Sequence, residues 1–427
     1  VIKDAASGPA GALNKTGNGT LVLTGANTYS GATTVTAGTL QAGAINTLSA
    51  DSALTVASPG IVDLAGNDQR ISSMTNSGVV SLLGAAPGTT LTVTDRWQGN
   101  GGILRLGTTL GDDSSLSDRL VLDGPSAQAT GLTNVQIVNL GGLGALTTGD
   151  GIEVISARNG ATTSAQTDKS AFQLLGGRVD AGAYEYRLYA ADANGDGENW
   201  YLRSYVPGTV TPTFREEALL YSALPEQLRQ ADQVMLGSLS QRAGDHGVGA
   251  QEHGHAWGRL ISVDRTLAQG GAVSPTSDGR LNGFQVGSDL WGNANWRLGA
   301  YLGQLAGDMS VSGRYAGSAD SAVGANALSS RYLGTYATWR NSSGAYVDTV
   351  LQAGRHRNTS NPARNATSQG KGDSLSVSVE VGQLFPVSPN WGIEPQLQLV
   401  HQTLRLGDVE IDAASVSQHN GDNWLGR

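Results

Sequence analysis

A few places in the sequence hold residue types that could do chemistry. DANGDG, residues 192–197, sets Asp192, Asn194, Asp196 and Gly197 at the first, third, fifth and sixth positions of a calcium loop. Such a loop needs a bidentate Glu at its twelfth position; that residue is Arg203, and no helices flank the segment, so it reads as a turn. GDSL, 372–375, repeats four letters of a hydrolase block, but Ser374 opens an alternating strand and no Asp-x-x-His follows to complete a triad. His253 and His255 share a strand face with no third ligand near in sequence, and read as lumen or loop residues rather than metal ligands. The paired acids Asp112–Asp113 and Glu216–Glu217 fall in loop and helix-start settings and read as solvated charge. No P-loop, GxSxG or HExxH occurs. The expectation is therefore no catalytic residue, no cofactor and no metal.

Composition narrows the partners. The net charge of −9 and the pI near 5.1, without a Lys/Arg cluster, argue against nucleic acid. Cys is absent, so no disulfide staples the chain, which suits a polypeptide that must stay threadable. No apolar run approaches the roughly 18–20 residues of a membrane helix. Mean hydropathy is −0.19, an average that alternating barrel strands would also give. No charged-then-apolar leader opens at Val1, so the numbering is expected to begin inside a longer chain.

The elements that would position any site fall into three zones. From Val1 to about Tyr205 short β-rich runs such as TLVLTG, ALTVAS, TLTVTD and VQIVNLGG are broken by Gly, Asn, Asp and Ser. No amphipathic helix separates them, which excludes a βαβ fold and leaves a sandwich, a propeller or a parallel β-helix. Few aromatics and long Thr/Asn/Gly turns favour the β-helix, whose rungs hide one another's edges. Near the end of the zone, AGAYEYRLYA and WYLRSY read as a hairpin. It clusters Tyr184, Tyr186, Tyr189, Trp200 and Tyr201 as an aromatic cap over the open end of the core.

After a Pro/Thr linker, VPGTVTPTF, the period changes. Leu224, Leu228, Ala231, Met235 and Leu239 fall at helical spacing, with Pro225 suited to a first helical position and Gly244 to a stop. A helix from Pro225 to Ala243 would be about 28 Å long, near the thickness of a bilayer core. Arg229, Asp232 and their polar neighbours forbid lipid on its other face, so it needs a polar lumen or a domain to pack on. The third zone, Gly254 to Arg427, carries strands of about ten residues that alternate apolar with Gly, Ser, Gln or charge. Phe284, Val286 and Leu290 oppose Gln285 and Asp289; Leu375, Val377, Val379 and Val381 oppose Ser376, Ser378 and Glu380. Trp257, Trp291, Trp296, Trp339 and Trp391 near strand ends complete the pattern of a transmembrane β-barrel with interface aromatics.

Together these motifs resemble the C-terminal part of a classical (type Va) autotransporter of the pertactin-like kind. GNGTLVLTGANTYSGATTVTAGTLQAG (17–43) resembles the passenger-associated transport repeat. GNGGILRLGTTLGDDSSLSDRLVL with AGAYEYRLYA and ENWYLRS resembles the autochaperone region. REEALLYSALPEQLRQADQVMLGSLSQRAGD resembles the helix-bearing linker, and HAWGRLISVDR the opening barrel strand. The resemblance implies an all-β chain: a right-handed parallel β-helix stem over 1–100, an autochaperone cap over 101–205, a linker with a pore helix over 206–250, and an outer-membrane β-barrel from 251–427. It also implies Leu224, Leu228, Arg229, Asp232, Met235 and Leu239 inside the pore.

By the same resemblance the barrel anchors the chain in the outer membrane of a Gram-negative cell and exports the passenger, and the cap folds first outside. Outer-membrane lipid, the barrel assembly machinery and periplasmic chaperones are the implied partners, with a host-cell or matrix ligand for the passenger. About seven barrel strands are counted where the family has twelve, so the barrel is expected to be incomplete at DNWLGR. Some members cut the passenger at an Asn in the pore helix; none lies between Phe214 and Ala250, so the passenger is expected to stay attached. The alternatives are a surface adhesin for which the barrel is only an anchor, and a polysaccharide-degrading β-helix. The last would need Asp, Glu, Lys and Arg clustered on one rung face, which residues 1–200 do not offer.

Overall fold

Three- and four-residue strands that bury every second side chain can close a core only by stacking on copies of themselves, and they do so here. The computed structural model describes residues 1–209, 211–243, 256–315, 318–388, 391–412, 414–418 and 421–427. It divides into Val1–Arg215 and Glu216–Arg427. His253, His255 and Gly244 lie outside the described residues.

In the first unit the strands pair in parallel, rung on rung. Leu21, Leu40, Val62, Val80, Leu104, Val135 and Leu174 are successive register partners, a column of aliphatic side chains along one wall. Leu54, Met74, Trp97 and Ala129 form a second column, and Leu91, Leu120 and Ile155 a third. Each fully buried Leu or Val in such a column contributes roughly 1.5–3 kcal/mol. Corners need backbone freedom. Gly38 has φ +68°, and a Cβ there would run into the carbonyls of Gly17 and Gly19 on the preceding rung. Lys15, 6% exposed, turns its Nζ inward and donates to the carbonyls of Thr16, Gly17 and Ala37.

The parallel stack ends where direction reverses. Ile152–Arg158 pairs antiparallel with Trp200–Arg203, which pairs with Tyr184–Ala190. The expected hairpin is present, and Val179–Ala181 adds a third strand to it.

The second unit holds a helix, Glu216–Leu236, and eight antiparallel strands in chain order. They are Ala256–Ala268, Thr276–Gly292, Trp296–Tyr315, Ser318–Arg340, Ala345–Pro362, Ser368–Gln383, Gln396–Leu406 and Gly421–Gly426. Among the described residues the sheet thus has eight strands rather than about seven; GDNWLG supplies the eighth. The first six run 13, 17, 20, 23, 18 and 16 residues, longer than the expected ten. Ladder pairing continues past the apolar band. On Ser368–Gln383 the outward side chains are Gln369, Lys371 and Asp373 before they become Leu375, Val377, Val379 and Val381. WGIEPQLQL is not one strand. Pro395 has no N–H for the ladder, and Trp391–Ile393 instead pairs with Phe385–Ser388 in a separate hairpin.

The helix also departs from expectation. It starts nine residues before Pro225, which sits inside it, and stops at Leu236; Leu239–Ala243 is a separate short helix. Gly237, at φ +62°, takes the left-handed position that ends an α-helix. Ser238 and Gln241 then form a reciprocal capping box that starts the next turn.

Candidate functional site

Alternation gives each strand two faces, and the helix lies against one of them. Leu224, Leu228, Ala231 and Met235 pack on Ile261, Leu281, Leu305, Leu328 and Leu404 from several strands. On the opposite sheet face Leu260 is 91% exposed, Leu333 64% and Leu399 49%. Polar strand residues of the helix side are fully buried instead, Gln285, Asn326, Gln352 and Ser376 among them.

Gln285, Asn326 and Gln352 of these are spent on the helix main chain. At its start Glu216 is ion-paired with Arg364 at 2.7 Å and Glu217 accepts from Asn365 at 2.8 Å. Both acids are 2% exposed, so they are clamped rather than solvated. Pro225 cannot donate to the carbonyl of Tyr221, the acceptor four residues back, and Gln418 Nε2 donates to it instead at 3.1 Å. Asn326 Nδ2 donates to the adjacent Leu220 carbonyl at 2.9 Å. At the other end Arg259 donates to Val234 and Met235, Gln285 to Met235 and Gln398 to Gly237, at 2.8–3.1 Å. These are the carbonyls a helix terminus leaves without partners, and a cation there also suits the helix dipole.

Of the expected pore residues, Leu224, Leu228 and Met235 form the apolar stripe. Asp232 is 1% exposed, with His356 Nε2 at 3.4 Å from its Oδ1. Ser374 Oγ is hydrogen-bonded to the same His356 nitrogen at 2.9 Å, and Ser330 to Nδ1 at 2.8 Å. A nucleophile relay needs carboxylate and hydroxyl on opposite ring nitrogens; here they share one. Arg229 lies 4.0 Å from Glu226 one turn away, and its carbonyl accepts from Gln402. Leu239 is not on the long helix, because Gly237 breaks it; its N–H donates to Glu380. Arg242 and Asp348, both buried, pair at 2.7 Å while Arg242 stacks on Tyr336 at 4.8 Å.

The expected interface tryptophans divide. Trp291, Trp296 and Trp391 are exposed at 53%, 43% and 77%. Trp339 is half-buried and pairs in register with Trp296 across two strands. Trp257 is a correction. It has the parity of Arg259, so it turns inward, and its Nε1 donates to Tyr336 Oη at 3.0 Å. For the inward residues Arg259, Gln285, Gln352, Asp348, Glu380 and Gln398 the sequence offers one signal, polar parity within the apolar dyads, and no mark of a site.

In the first unit the cap residues form several contacts rather than one cluster. Trp200 is buried, donates to Thr163 at 2.8 Å and meets Phe172 edge-on at 5.4 Å. Tyr186 is fully buried; its Oη accepts from Ala145 N–H, and burial pushes its pKa up to about 12. Tyr184 stacks on Phe214, and Tyr189 and Tyr201 flank the Arg203 guanidinium at 5.7 and 5.4 Å. In DANGDG, Asp192 Oδ1 accepts the N–H groups of Asn194 and Asp196 at 2.8 Å, which makes the segment a turn. Asp113 accepts from Thr148, Gly149 and Gly151. Burial raises its pKa, but these donors outweigh that and hold it below the ordinary value.

Three family profiles match the chain in succession. They are the passenger-associated-transport-repeat over 13–42, the autochaperone domain type 1 over 69–188 and the autotransporter beta-domain over 256–427. The autochaperone match begins inside the segment assigned above to the stem. The adhesin BmaC autotransporter of Brucella suis biovar 1 (strain 1330) is 32% identical over 459 residues, covering 98% of this chain and 13% of that protein. The autotransporter adhesin AIDA-I of Escherichia coli is 26% identical over 356 residues, covering 79% of this chain and 26% of that protein. The beta domain of the Bordetella autotransporter Brka aligns at 22% identity and TM-score 0.33, over 40% of this chain and 68% of that one. The chain thus spans 13% and 26% of the length of these two relatives.

Proposed function

Because the chain belongs to the classical autotransporters, we propose that Glu216–Arg427 is the outer-membrane part that exports and then anchors the β-helical stem of residues 1–215. One observation carries the reading. A helix of 21 residues, about 31 Å long, is held along its length by polar strand side chains whose opposite sheet face is exposed Leu, Val and Phe. Such a sheet wants lipid outside and a polar occupant inside. The antiparallel cap at Trp200 supports a folding role. Rungs add to a finished edge more readily than they nucleate, and folding outside holds the chain there without ATP.

The barrel assembly machinery and periplasmic chaperones are the partners this route requires. Display, not catalysis, is the function we assign to residues 1–215. Since the two relatives bear the name adhesin, a host-cell or matrix ligand for the passenger is the second reading, and it is compatible with the first. The chain lacks Cys, so a single Val22→Cys, a position 46% exposed on the stem, reports its side of the membrane. A membrane-impermeant maleimide should label it on intact cells while the barrel migrates heat-modifiably in detergent. Labelling only after lysis would contradict export.

A further inference from the structure

The interior strand side chains treat the start of the helix and its last third differently. At the start, side-chain pairs that read sequence, Glu216 with Arg364 and Glu217 with Asn365, stand beside main-chain contacts to the Leu220 and Tyr221 carbonyls. Over the last third, Gln402 donates to the carbonyl of Arg229 at 3.2 Å, Gln352 to Asp232 at 3.1 Å, Gln285 to Met235 at 3.0 Å and Gln398 to Gly237 at 3.1 Å. Arg259 adds Val234 and Met235. All of these targets are main-chain atoms, and Gln402 also accepts from the Gln233 side chain at 3.3 Å. The carbonyls of Arg229 and Asp232 already serve the helix's own ladder, so their second bonds are not needed to complete it. The four glutamines are at most 4% exposed and come from three different strands.

We infer that this group of four glutamines is a sequence-blind binding subsite for the main chain of an unfolded polypeptide in transit, and that the helix occupies it only when transit is over. The inference rests on the export reading above and names the substrate class of that same pore. A carboxamide suits the task because it donates to a carbonyl or accepts from an N–H, whichever a sliding chain presents. Main-chain recognition also suits a passenger whose side chains change at every step. A desolvated peptide group without a partner is costly to pass, so a lining that supplies partners lowers the barrier without selecting a sequence.

The test replaces the four with Met, which keeps length and removes the amide: Gln285→Met, Gln352→Met, Gln398→Met and Gln402→Met in the full chain. Pulse-labelled cells are followed for the time at which the stem becomes accessible to external protease, with barrel folding read by heat-modifiable migration. The expected result is a folded barrel and a passage roughly tenfold slower, equivalent to about 1.4 kcal/mol. The same factor is expected when the stem is exchanged for one of unrelated sequence, because the subsite meets main chain alone. Unchanged passage in the fourfold variant, or slowing confined to the native stem, overturns the subsite while leaving export intact. Absence of surface stem in the unsubstituted chain overturns export itself. Should the fourfold variant fail to fold, Gln352→Met and Gln398→Met are measured singly, and wild-type rates in both overturn the proposal.

Discussion

Arg242 and Asp348 meet at 2.7 Å with both side chains 2% exposed, and Thr338 donates to the same carboxylate. Removing one partner of such a pair leaves a bare buried charge, so Asp348→Ala should cost about 3–5 kcal/mol. The temperature at which the folded band converts should fall, and Arg242→Met added to Asp348→Leu should recover most of the loss. In the stem, Trp200→Ala empties a packed site and loses the Thr163 bond, at about 3–5 kcal/mol. Protease-resistant stem on the cell surface should drop; unchanged display would remove the cap from the folding account. Asp113 supplies a pH dependence. Its folded pKa lies below the unfolded value, so it stabilises above the usual carboxylate range and that contribution is lost as pH falls through the folded value. The urea midpoint of stem unfolding should therefore fall on acidification below about pH 4, less steeply in Asp113→Asn. These residues were legible to different degrees. Trp200 stood out because a large aromatic is rare in this zone, whereas Asp348 and Gln352 look like any polar letter of a dyad until the helix is seen to face them.

The helix is the element that sequence placed but did not delimit. Leu224, Leu228, Ala231 and Met235 gave its face correctly, since an apolar stripe must meet an apolar wall wherever the ends lie. Pro225 gave the wrong start. A proline is expected at a helix's first turn unless something else satisfies the carbonyl it strands, and that something is Gln418, distant in sequence. The end at Gly237 was hidden because Leu239 continues the period by chance across the break. Gly237→Ala tests the break. Its Cβ would sit 2.8 Å from the Arg259 guanidinium and force a left-handed alanine, a cost of about 1–2 kcal/mol before Arg259 is displaced. The melting of the folded band should fall accordingly, and no change would mean that the turn adapts freely. The strands were legible by face and not by length, because their polar extensions, Gln369 to Asp373 for example, pair as well as the apolar part does.

At the scale of the whole chain, three features suit the proposed sequence of events. A Cys-free stem of low charge can cross unfolded and then stack in columns such as Leu40, Val62, Val80 and Leu104. The antiparallel cap finishes the neighbouring column of Leu91, Leu120 and Ile155, and on the proposed reading the membrane-length helix fills the interior once the stem has left. The opening repeat, residues 17–43, is bland because it becomes rungs, with Gly38 at a corner where no side chain fits. The central claim is that the helix ends its journey inside the sheet, in molecules whose stem is outside. Gln233 and Gln402, whose side chains are hydrogen-bonded at 3.3 Å, provide the most direct test. With Gln233→Cys and Gln402→Cys in one chain, a short bismaleimide should join the two in molecules whose stem is protease-accessible on intact cells. Displayed molecules that never cross-link would contradict the account.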